Sequence, residues 1–436
     1  MIFRIARDKE MTTDLLFDYI QQHKRDCALR GWKLQNAYEN RYPIFFEPRK
    51  PDGKPDNRIA VNYAKYITDT FNGFFCGIPV KVTSDDEAVE QYIKDIDARS
   101  NGDNLNAEVS KLSDIGGRAF EMYYLNEKSE VCMTYLSELE AFIIVDDSIL
   151  ERPRYFVRYY KDADRIERGS ISDERIVRYF YLDDGTYKWD GEEKVHGFQY
   201  VPAVEYISND ERMGLFESAL PAINAYNKAL SEKANDVDYF SEAYMKILGA
   251  KVDEDDLPFM RRTRVINIPD ADDTNVTVDF MAKPSADATQ ENLLNRLNQD
   301  IFITSMVANI SDENFGDSSG IALRYKLQAM SNLFTMKARR FTAAMMDRYR
   351  VIFSNPVRPQ GVKEDSWQGI HIKFTANYPA NIESEAEVAA KLEGVVSKET
   401  QLGVLSIVDN VKSEIDRLEE EQQPLIDTAV ANVFGG

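Results

Sequence analysis

The sequence predicts an α+β protein in which short strands and long helices occupy different parts of the chain. Three observations lead to this prediction. Short β-prone runs separated by turn residues lie within residues 117–207. Apolar residues recur every three or four positions in residues 214–248, and a longer apolar stripe runs through residues 319–353. The 436 residues are enough for two or three domain-sized units.

The N-terminal part is predicted to be mainly helical. Residues 13–30 have the periodicity of an amphipathic helix. A second helix is predicted over 58–71, where an Asn-Gly pair follows as a stop signal, and a short strand over 78–82. Residues 42–57 contain four prolines and one glycine, so we expect an irregular loop there.

The next part changes to a strand-like period. Five runs are rich in β-branched and aromatic residues, and Asn, Asp and Gly separate them. These runs are 119–125, 140–145, 155–160, 175–182 and 187–189. Short turns between such runs predict antiparallel hairpins.

Two long helices with an insertion between them follow. Residues 214–248 and 287–309 are predicted to be helical. The insertion, residues 249–286, contains two strand-like runs at 264–268 and 276–280. This order predicts two helical rods with a small strand-containing insertion between them.

A polar loop, residues 310–318, precedes the longest predicted helix, residues 319–354. A helix of about 34 residues is about 50 Å long. A second, partial stripe widens its apolar surface, so the helix is predicted to pack between two neighbours. In a ring, one of these neighbours can belong to the adjacent subunit. The main stripe of the helix is Leu323, Leu327, Met330, Phe334, Ala338, Phe341 and Met345. Helical patterns return at 383–392, 397–407 and 411–422.

The composition restricts the class of protein. The formal net charge is −21, whereas a conventional nucleic-acid binder has a basic excess. Two interpretations remain open: an ordinary acidic protein, or a surface past which DNA moves without being held. No run reaches 18 apolar residues, so no membrane span is expected. The three cysteines are an odd number and do not suggest a disulfide framework.

Catalytic motifs are absent from the sequence. It contains neither GxxxxGK[ST] nor GxGxxG, and its three histidines are far apart. The acidic run Asp253–Asp256 is compatible with a solvated turn or, less readily, with a Mg²⁺ site of a nuclease. We therefore expect no enzyme, no cofactor and no metal site.

One basic cluster lies in the insertion. Arg261, Arg262 and Arg264 have two interpretations. They balance the nearby acidic run as a solvated turn, or they contact an acidic partner or DNA phosphates.

Five segments in order resemble the SPP1-type family of phage portal proteins, and together the resemblance covers about residues 14–420. The segments are RGWKLQNAYEN (30–40), DNRIAVNYAKYITDTFNGFFCGIPVKV (56–82), VPAVEYISNDERMGLFESALPAINAYNKALSEKAND (201–236), SDENFGDSSGIALRYKL (311–327) and FTANYPANIESEAEVAAKLEGVVSKETQLGVL (374–405). Gly31-Trp32 and Asn40 depart from the residues most usual in the family.

The resemblance implies a portal fold with a mixed α/β wing, a long-helix stem, a small α/β clip and a short helical crown. The implied regions are the wing (1–213) with a return (355–382), the stem helices (214–248 and 287–309), the clip (249–286), the tunnel loop (310–318), the long tunnel and wing helix (319–354), and the crown helices with the C-terminal tail (383–436).

It also implies a function. Such portals form homo-oligomeric rings, usually of twelve subunits, at one capsid vertex of the virion and are assembled in the bacterial cytoplasm. Double-stranded DNA passes through the ring during packaging and ejection. The ring docks the terminase large subunit and later a head-completion or adaptor protein, and it contacts the major capsid and scaffolding proteins. ATP hydrolysis belongs to the docked motor. The alternatives are another ring-forming capsid-associated scaffold and, less favoured, a metal-dependent nuclease.

Specific residues acquire expected roles from this resemblance. The clip arginines are expected to contact a partner. The tunnel loop is expected to line the DNA channel, where its carboxylates repel the duplex and Phe315 either anchors the loop or touches DNA. The loop residues are Asp312, Glu313, Asn314, Phe315, Gly316, Asp317 and Ser318. The candidates for inter-subunit pairs that offset the acidic charge are Arg324, Lys326, Arg339 and Arg340.

Overall fold

The computed structural model describes two compact units. Unit 1 comprises residues 1–311 and 327–376, and unit 2 comprises residues 312–326 and 377–436. The residues described are 2–51, 54–241, 245–248, 277–280, 287–310, 325–378 and 382–405, together with 408, 411 and 414–418.

Unit 1 begins with a short strand and a long interrupted helix. Strand β1 is Phe3–Ile5 and helix α1 is Thr13–His23. A π-helical turn, Lys24–Ala28, connects α1 to α2, Leu29–Tyr38. The predicted helix is confirmed, but its predicted end at residue 30 is wrong because the π turn carries the helical chain into α2.

Helix α3, Tyr63–Cys76, begins and ends about five residues later than predicted. The side chain of Asn62 caps it by accepting the backbone N–H of Lys65 at 3.2 Å. The helix continues past Gly73 because Phe74 and Phe75 on the next turn are buried. Burying two phenyl rings outweighs the roughly 1 kcal/mol that a glycine costs inside a helix.

Two helices not predicted from the sequence follow strand β2, Lys81–Ser84. Helix α4 is Glu87–Ser100 and helix α5 is Gly102–Gly116. Gly117 ends α5 at φ +93°, a left-handed conformation that favours glycine. A Cβ at this position would lie 2.0 Å from the carbonyl oxygen of Arg212, so the close approach also requires glycine.

The strands that follow are β3 Arg118–Leu125, β4 Val131–Ser137, β5 Ala141–Asp146, β6 Pro153–Lys161, β7 Glu167–Ser172, β8 Ile176–Asp183, β9 Thr186–Trp189, β10 Lys194–Val195 and β11 Ala203–Ile207. All five predicted runs are confirmed. Strands β4, β7, β10 and β11 were missed, and in β7 the cause is its composition, since Glu, Arg, Gly and Ser weaken the β signal.

These strands form two sheets. The larger sheet has the order β1-β5-β6-β7-β8-β10, with β9 also paired to β8. Strand β1 lies parallel to β5, and the other neighbours are antiparallel, as the hairpin pattern predicts. The smaller sheet has the order β11-β3-β4 and is antiparallel.

The two faces of the larger sheet are covered differently. Helix α1 packs on one face, where Leu16 and Ile20 join Phe142 and Val157 in a buried cluster. The other face packs on the smaller sheet through Phe156 and its neighbours. Burial of apolar area on both faces, worth about 25 cal/mol per Å², stabilises this layered body.

The predicted helix over 214–248 is shorter in the structure. A 3₁₀ turn, Glu217–Ala219, precedes α6, Leu220–Ser241. The chain then forms β12, Met245–Leu248, so the helical prediction is wrong for these four residues. A long amphipathic pattern does not by itself reveal where helix gives way to strand.

The second rod is helix α7, Asp287–Ser305, which ends where Met306 adopts φ +58° rather than at residue 309. Strand β13, Thr277–Phe280, precedes it and agrees with the predicted run. Helix α8, Gln328–Phe353, buries Met330, Phe341 and Met345 of the predicted stripe.

The chain of unit 1 then returns to its N-terminal half. A 3₁₀ segment, Glu364–Gly369, leads into β14, Ile370–Lys373, which pairs antiparallel with β2. In unit 2, α9 is Ile382–Leu392 and α10 is Lys398–Leu402. The first agrees with its prediction and the second ends early. Across the described residues, the search for a helix both long and apolar enough to span a bilayer finds none.

Candidate functional site

The two rods pack against each other in antiparallel order. Lys233 of α6 forms an ion pair with Glu291 of α7. One turn further along α6, Asp236 accepts a hydrogen bond from Nε2 of Gln290 at 2.8 Å. The rods are about 33 and 28 Å long at 1.5 Å per residue. Polar contacts therefore join them near the ends that lead to β12 and β13.

A tyrosine from α3 joins the rods at their opposite ends. The ring of Tyr63 contacts the ring of Tyr226 on α6 edge-on at 5.2 Å and that of Phe302 on α7 at 5.8 Å. Its hydroxyl donates to Oδ1 of Asn298 at 2.9 Å. Burial raises the pKa of this phenol well above its usual value, so it stays protonated and available as a donor.

The rods lead into a two-stranded ribbon. Strands β12 and β13 are antiparallel, with Met245 opposite Phe280 and Leu248 opposite Thr277. Opposed residues of such a pair lie about 5 Å apart. The polypeptide therefore leaves the ribbon at Leu248 and returns to it at Thr277, almost at the same point.

A ladder of three polar side chains on α6 binds an extended segment, residues 57–61. The N–H of Asn57 donates to Oδ1 of Asn235 at 2.6 Å, and the N–H of Ile59 donates to Oγ of Ser231 at 2.9 Å. The next N–H in this series, from Val61, donates to Oδ1 of Asn227 at 2.9 Å. Four residues of helix rise about 6 Å and two residues of extended chain about 6.6 Å, so the two spacings match.

Helix α8 carries a buried cation in an aromatic surrounding. Nζ of Lys337 lies 2.7 Å from Oδ2 of Asp114 on α5, and both side chains are almost fully buried. The ammonium also lies 4.6 Å from the ring centroid of Phe75 and 5.0 Å from that of Phe341. Burial lowers the pKa of Lys337 and raises that of Asp114, while each charge opposes the shift of the other.

A second buried cation lies three turns further along α8. Nε of Arg348 donates to Oε2 of Glu121 on β3 at 2.9 Å, and its Nη2 also contacts this carboxylate. Hydroxyls of Tyr123 and Tyr206 donate to the same Oε2 at 2.9 and 3.0 Å. With both cations paired, α8 is fixed in position on α5 and on the smaller sheet.

The structure describes only part of the predicted site. Outside the described residues lie the tunnel loop residues Asp312, Glu313, Asn314, Phe315, Gly316, Asp317 and Ser318, the clip residues Arg261, Arg262 and Arg264, and Arg324. Lys326 and Arg339 are exposed. Their predicted roles stay predictions.

Arg340 has a partner within its own chain. Its guanidinium forms a two-point contact with the carboxylate of Asp210, with Nη2 at 2.7 Å from Oδ2. The arginine lowers the pKa of Asp210 through this hydrogen bond. The role between subunits that the sequence predicted for Arg340 stays a prediction. A partner in a neighbouring subunit would have to share Arg340 with Asp210 or displace Asp210.

Sequence reasoning missed the two buried cations, although a signal was present. Arg348 lies three residues after Met345 and thus continues the predicted apolar stripe in step. Lys337 lies three residues after Phe334 and four before Phe341, on the same face. A cation inside an apolar stripe indicates a buried ion pair, because an unpaired charge is too costly to bury.

Metal-binding clusters and reactive histidines were sought among the described residues. Among them, no group of three or more His, Cys, Asp or Glu side chains is arranged to hold a metal ion. His23 is fully buried, stacks on Phe142 at 4.6 Å and hydrogen-bonds the hydroxyl of Tyr159 through Nδ1 at 2.8 Å. Burial lowers its pKa to about 3, so it is a neutral core residue at ordinary pH.

Two solved structures with a similar fold are necks of GTA particles. The neck of an empty GTA particle, computed with C6 symmetry, has a TM-score of 0.51 at 12% identity, over 86% of this chain and 93% of that chain. The neck of a native GTA particle, computed with C12 symmetry, has a TM-score of 0.51 at 11% identity and the same coverage. These similarities show the fold.

The sequence comparisons agree with the fold. The portal protein of Bacillus phage SPP1 is 21% identical over 94% of this chain and 87% of the relative. That of Clostridium phage phiCD119 is 21% identical over 94% and 93%. Residues 18–426 match the phage portal protein family described as SPP1 Gp6-like.

The family match over residues 18–426, with which the fold agrees, shows that the chain is a phage portal protein, the head-tail connector of a phage particle. Within that class, the chain belongs to the SPP1 Gp6-like family.

Proposed function

We propose that copies of this chain close into a ring of twelve around an axial channel for double-stranded DNA. The observation that carries this proposal is the antiparallel rod pair α6 and α7, joined to α3 by Tyr63 and continued by the β12–β13 ribbon. Rods of about 30 Å that end in a narrow ribbon suit the wall of a channel. The C12 symmetry applied to one neck structure of similar fold supports the number twelve.

The rods also expose apolar side chains that a ring would cover. Val237 on α6 is 63% exposed, and on α7 Leu293 and Ile303 are 50% and 71% exposed. We take these residues to belong to a surface that a protein partner covers. In a closed ring the partner is the neighbouring copy, since each subunit offers two different surfaces to its neighbours.

The acidic charge suits a channel that conducts DNA without holding it. Twelve copies with a formal charge of −21 carry about −250 in total. Phosphates of B-DNA follow one another every 1.7 Å or so along the axis, and a wall of like charge repels them. The carboxylates of residues 312–318 add to this repulsion at the proposed tunnel loop, so a loop in contact with DNA slides.

The regions inferred from the resemblance are adapted to the structure as follows. The wing consists of residues 1–213 with the return at 355–382, the stem contains α6 and α7, and the clip is 249–286 together with β12. The tunnel loop is 310–318, the tunnel and wing helix is 319–354, and the crown and tail are 383–436. The clip, through Arg261, Arg262 and Arg264, docks the terminase large subunit and later a head-completion protein.

The ring has no enzymatic role in this proposal, and the docked motor hydrolyses ATP. The ring occupies a capsid vertex, contacts the major capsid and scaffolding proteins, and is assembled in the bacterial cytoplasm. Support for a structural role comes from membership in a structural family and from the packing of His23 and Lys337 in the core.

Mass and symmetry test the proposal together. Light scattering coupled to size-exclusion chromatography is expected to give about twelve times the 50.0 kDa subunit mass. Negative-stain images viewed end-on are expected to show a twelvefold ring with a central hole. A stable monomer under all assembly conditions, or a ring without an opening, would refute the proposal.

A further inference from the structure

The extended segment 57–61 uses only one of its two backbone edges within the chain. Its N–H groups at residues 57, 59 and 61 donate to the polar ladder on α6, and the carbonyl of Ile59 also accepts from Ser231 at 3.0 Å. In an extended chain, alternate residues direct their N–H and C=O groups to opposite sides. The backbone groups of Arg58 and Ala60 therefore point away from α6. We call them the outer edge.

The outer edge is unpaired. Within the described part of the chain, neither N–H nor C=O of Arg58 or Ala60 has a hydrogen-bond partner. The flanking side chains of Ile59 and Val61 are 40% and 37% exposed. A row of free N–H and C=O groups beside exposed apolar side chains is a template for another chain.

Helix α7 carries, on its exposed side, amide side chains that can pair with the N–H and C=O groups of the outer edge. Asn292, Asn295 and Gln299 are exposed, and none of them has a hydrogen-bond partner among the described residues. We call them the amide stripe. Asn295 and Gln299 are four residues apart, which is the spacing that the ladder on α6 uses to bind residues 57–61. An amide side chain both accepts an N–H and donates to a C=O, as the outer edge requires.

The outer edge and α7 lie on nearly opposite sides of α6. Viewed down the helix axis at 100° per residue, the ladder positions 227, 231 and 235 are centred about 170° from the α7 contacts Lys233 and Asp236. One subunit thus presents the outer edge on one flank of α6 and α7 on the other. Such an arrangement suits a head-to-tail interface, which a closed ring repeats around its axis.

We propose that the outer edge of one subunit binds Asn295 and Gln299 on α7 of a second copy of this chain. The inference rests on the proposed ring and identifies one of the surfaces that closes it. In this interface, α7 of the neighbouring copy binds the outer edge in the same way as α6 binds the inner edge, with polar side chains four residues apart on a helix. Exposed Ile59 and Val61 on one side and Leu293 and Ile303 on the other supply apolar area beside these hydrogen bonds.

Substitution of one backbone N–H tests the outer edge. Ala60→Pro removes the outward donor and leaves the three inward N–H groups in place, and proline fits an extended segment. Ala60→Ser is the matched control because it retains the N–H. Ala60→Pro is expected to raise the concentration needed for ring assembly by at least about tenfold, while Ala60→Ser assembles as the unaltered protein does.

Substitutions on α7 test the partner surface without disturbing the core. The double variant Asn295→Ala/Gln299→Ala is expected to weaken assembly to a similar degree. Thr289→Ala/Thr304→Ala, at two exposed positions outside the amide stripe, leaves the amides and the apolar residues in place, so it is the control and is expected to assemble normally. Melting temperatures of the unassembled subunits are expected to be the same in all four variants within about 2 °C.

A mixing experiment distinguishes this interface from any other. A subunit with Ala60→Pro keeps its amide stripe, and one with Asn295→Ala/Gln299→Ala keeps its outer edge. The two together are expected to form 1:1 pairs through the one intact interface, but no closed rings. Mass photometry at matched concentrations reads out both species.

The outcomes separate the two proposals. Absence of rings for the unaltered protein would refute the proposed function. Rings for the unaltered protein and equally for both test variants would refute this inference alone. Loss of assembly with Ala60→Pro but not with the α7 double variant would also overturn it, since the outer edge would then bind a strand or another element.

Discussion

Lys337 and Asp114 form an ion pair of 2.7 Å between α8 and α5 at a place where both side chains are almost fully buried. The pair joins the longest described helix to a helix more than 200 positions earlier in the chain. Together with the Arg348–Glu121 pair, it positions α8 along three turns. Both pairs contribute to the stability of the fold rather than to binding. Removing one partner of a buried pair costs more free energy of unfolding than removing one partner of an exposed pair.

Removal of one partner of this pair is expected to be severe. Lys337→Met leaves the carboxylate of Asp114 buried without its cation, which costs about 3–5 kcal/mol. The double variant Lys337→Met/Asp114→Leu is expected to recover a large part of that loss because no lone charge remains. Urea unfolding of the unassembled subunit gives the free energy of unfolding of each variant. Equal losses in the single and double variants would contradict the prediction.

A prediction on pH follows from His23. Its pKa is lowered to about 3 in the folded chain, against 6.5 for the free side chain, because of burial. Between pH 3 and 6.5 the unfolded state binds a proton that the folded state does not. The contribution of His23 to the free energy of unfolding is therefore complete above pH 6.5 and is lost as the pH falls towards 3. The loss approaches about 1.4 kcal/mol per pH unit. His23→Phe is expected to flatten the slope of unfolding free energy between pH 6.5 and 4, and an unchanged slope would rule the assignment out.

Gly117 allows a prediction with a close control. Gly117→Ala places a Cβ against the carbonyl oxygen of Arg212 at a positive φ, so backbone must move and a loss of several kcal/mol is expected. Gly185→Ala has a similar φ of +79° but nothing within 4 Å of the new Cβ, so only about 1 kcal/mol of strain is expected. Thermal unfolding of the two variants side by side checks the difference.

Substitutions of Arg339 and Arg340 on α8 are expected to leave folding almost unchanged. Arg339 is exposed, and Arg339→Glu should weaken ring formation if it pairs with a neighbouring copy. Arg340→Ala should leave unfolding almost unchanged, because Asp210 is largely exposed. Sedimentation at two salt concentrations separates the effects. Normal assembly of Arg339→Glu at low salt would exclude an inter-subunit role for that residue.

Much of the fold was predictable from local patterns, whereas the contacts that position the rods were not. The five β-prone runs and both rods followed from residue periodicity, because burial on one face imposes it. Asn227, Ser231 and Asn235 look like ordinary surface polar residues in the sequence. Their partners lie 166 to 178 positions away, so no local pattern contains the relationship.

The wrong start predicted for α3 has a related cause. Residues 57–61 were assigned in part to a helix because Ile59, Tyr63 and Ile67 share helical spacing. The structure makes these first residues extended, since the side chains of α6 supply hydrogen bonds that the segment would otherwise find within a helix. A tertiary contact thus overrides a weak local preference.

The close return of the chain at Leu248 and Thr277 has an evolutionary consequence. An insertion whose two ends lie side by side can be lengthened, shortened or exchanged while the supporting helices keep their geometry. Under the proposed function, a related virus could therefore acquire a different docking module for a different motor by altering this one stretch. Substitutions in the rest of the subunit then need not accompany the exchange.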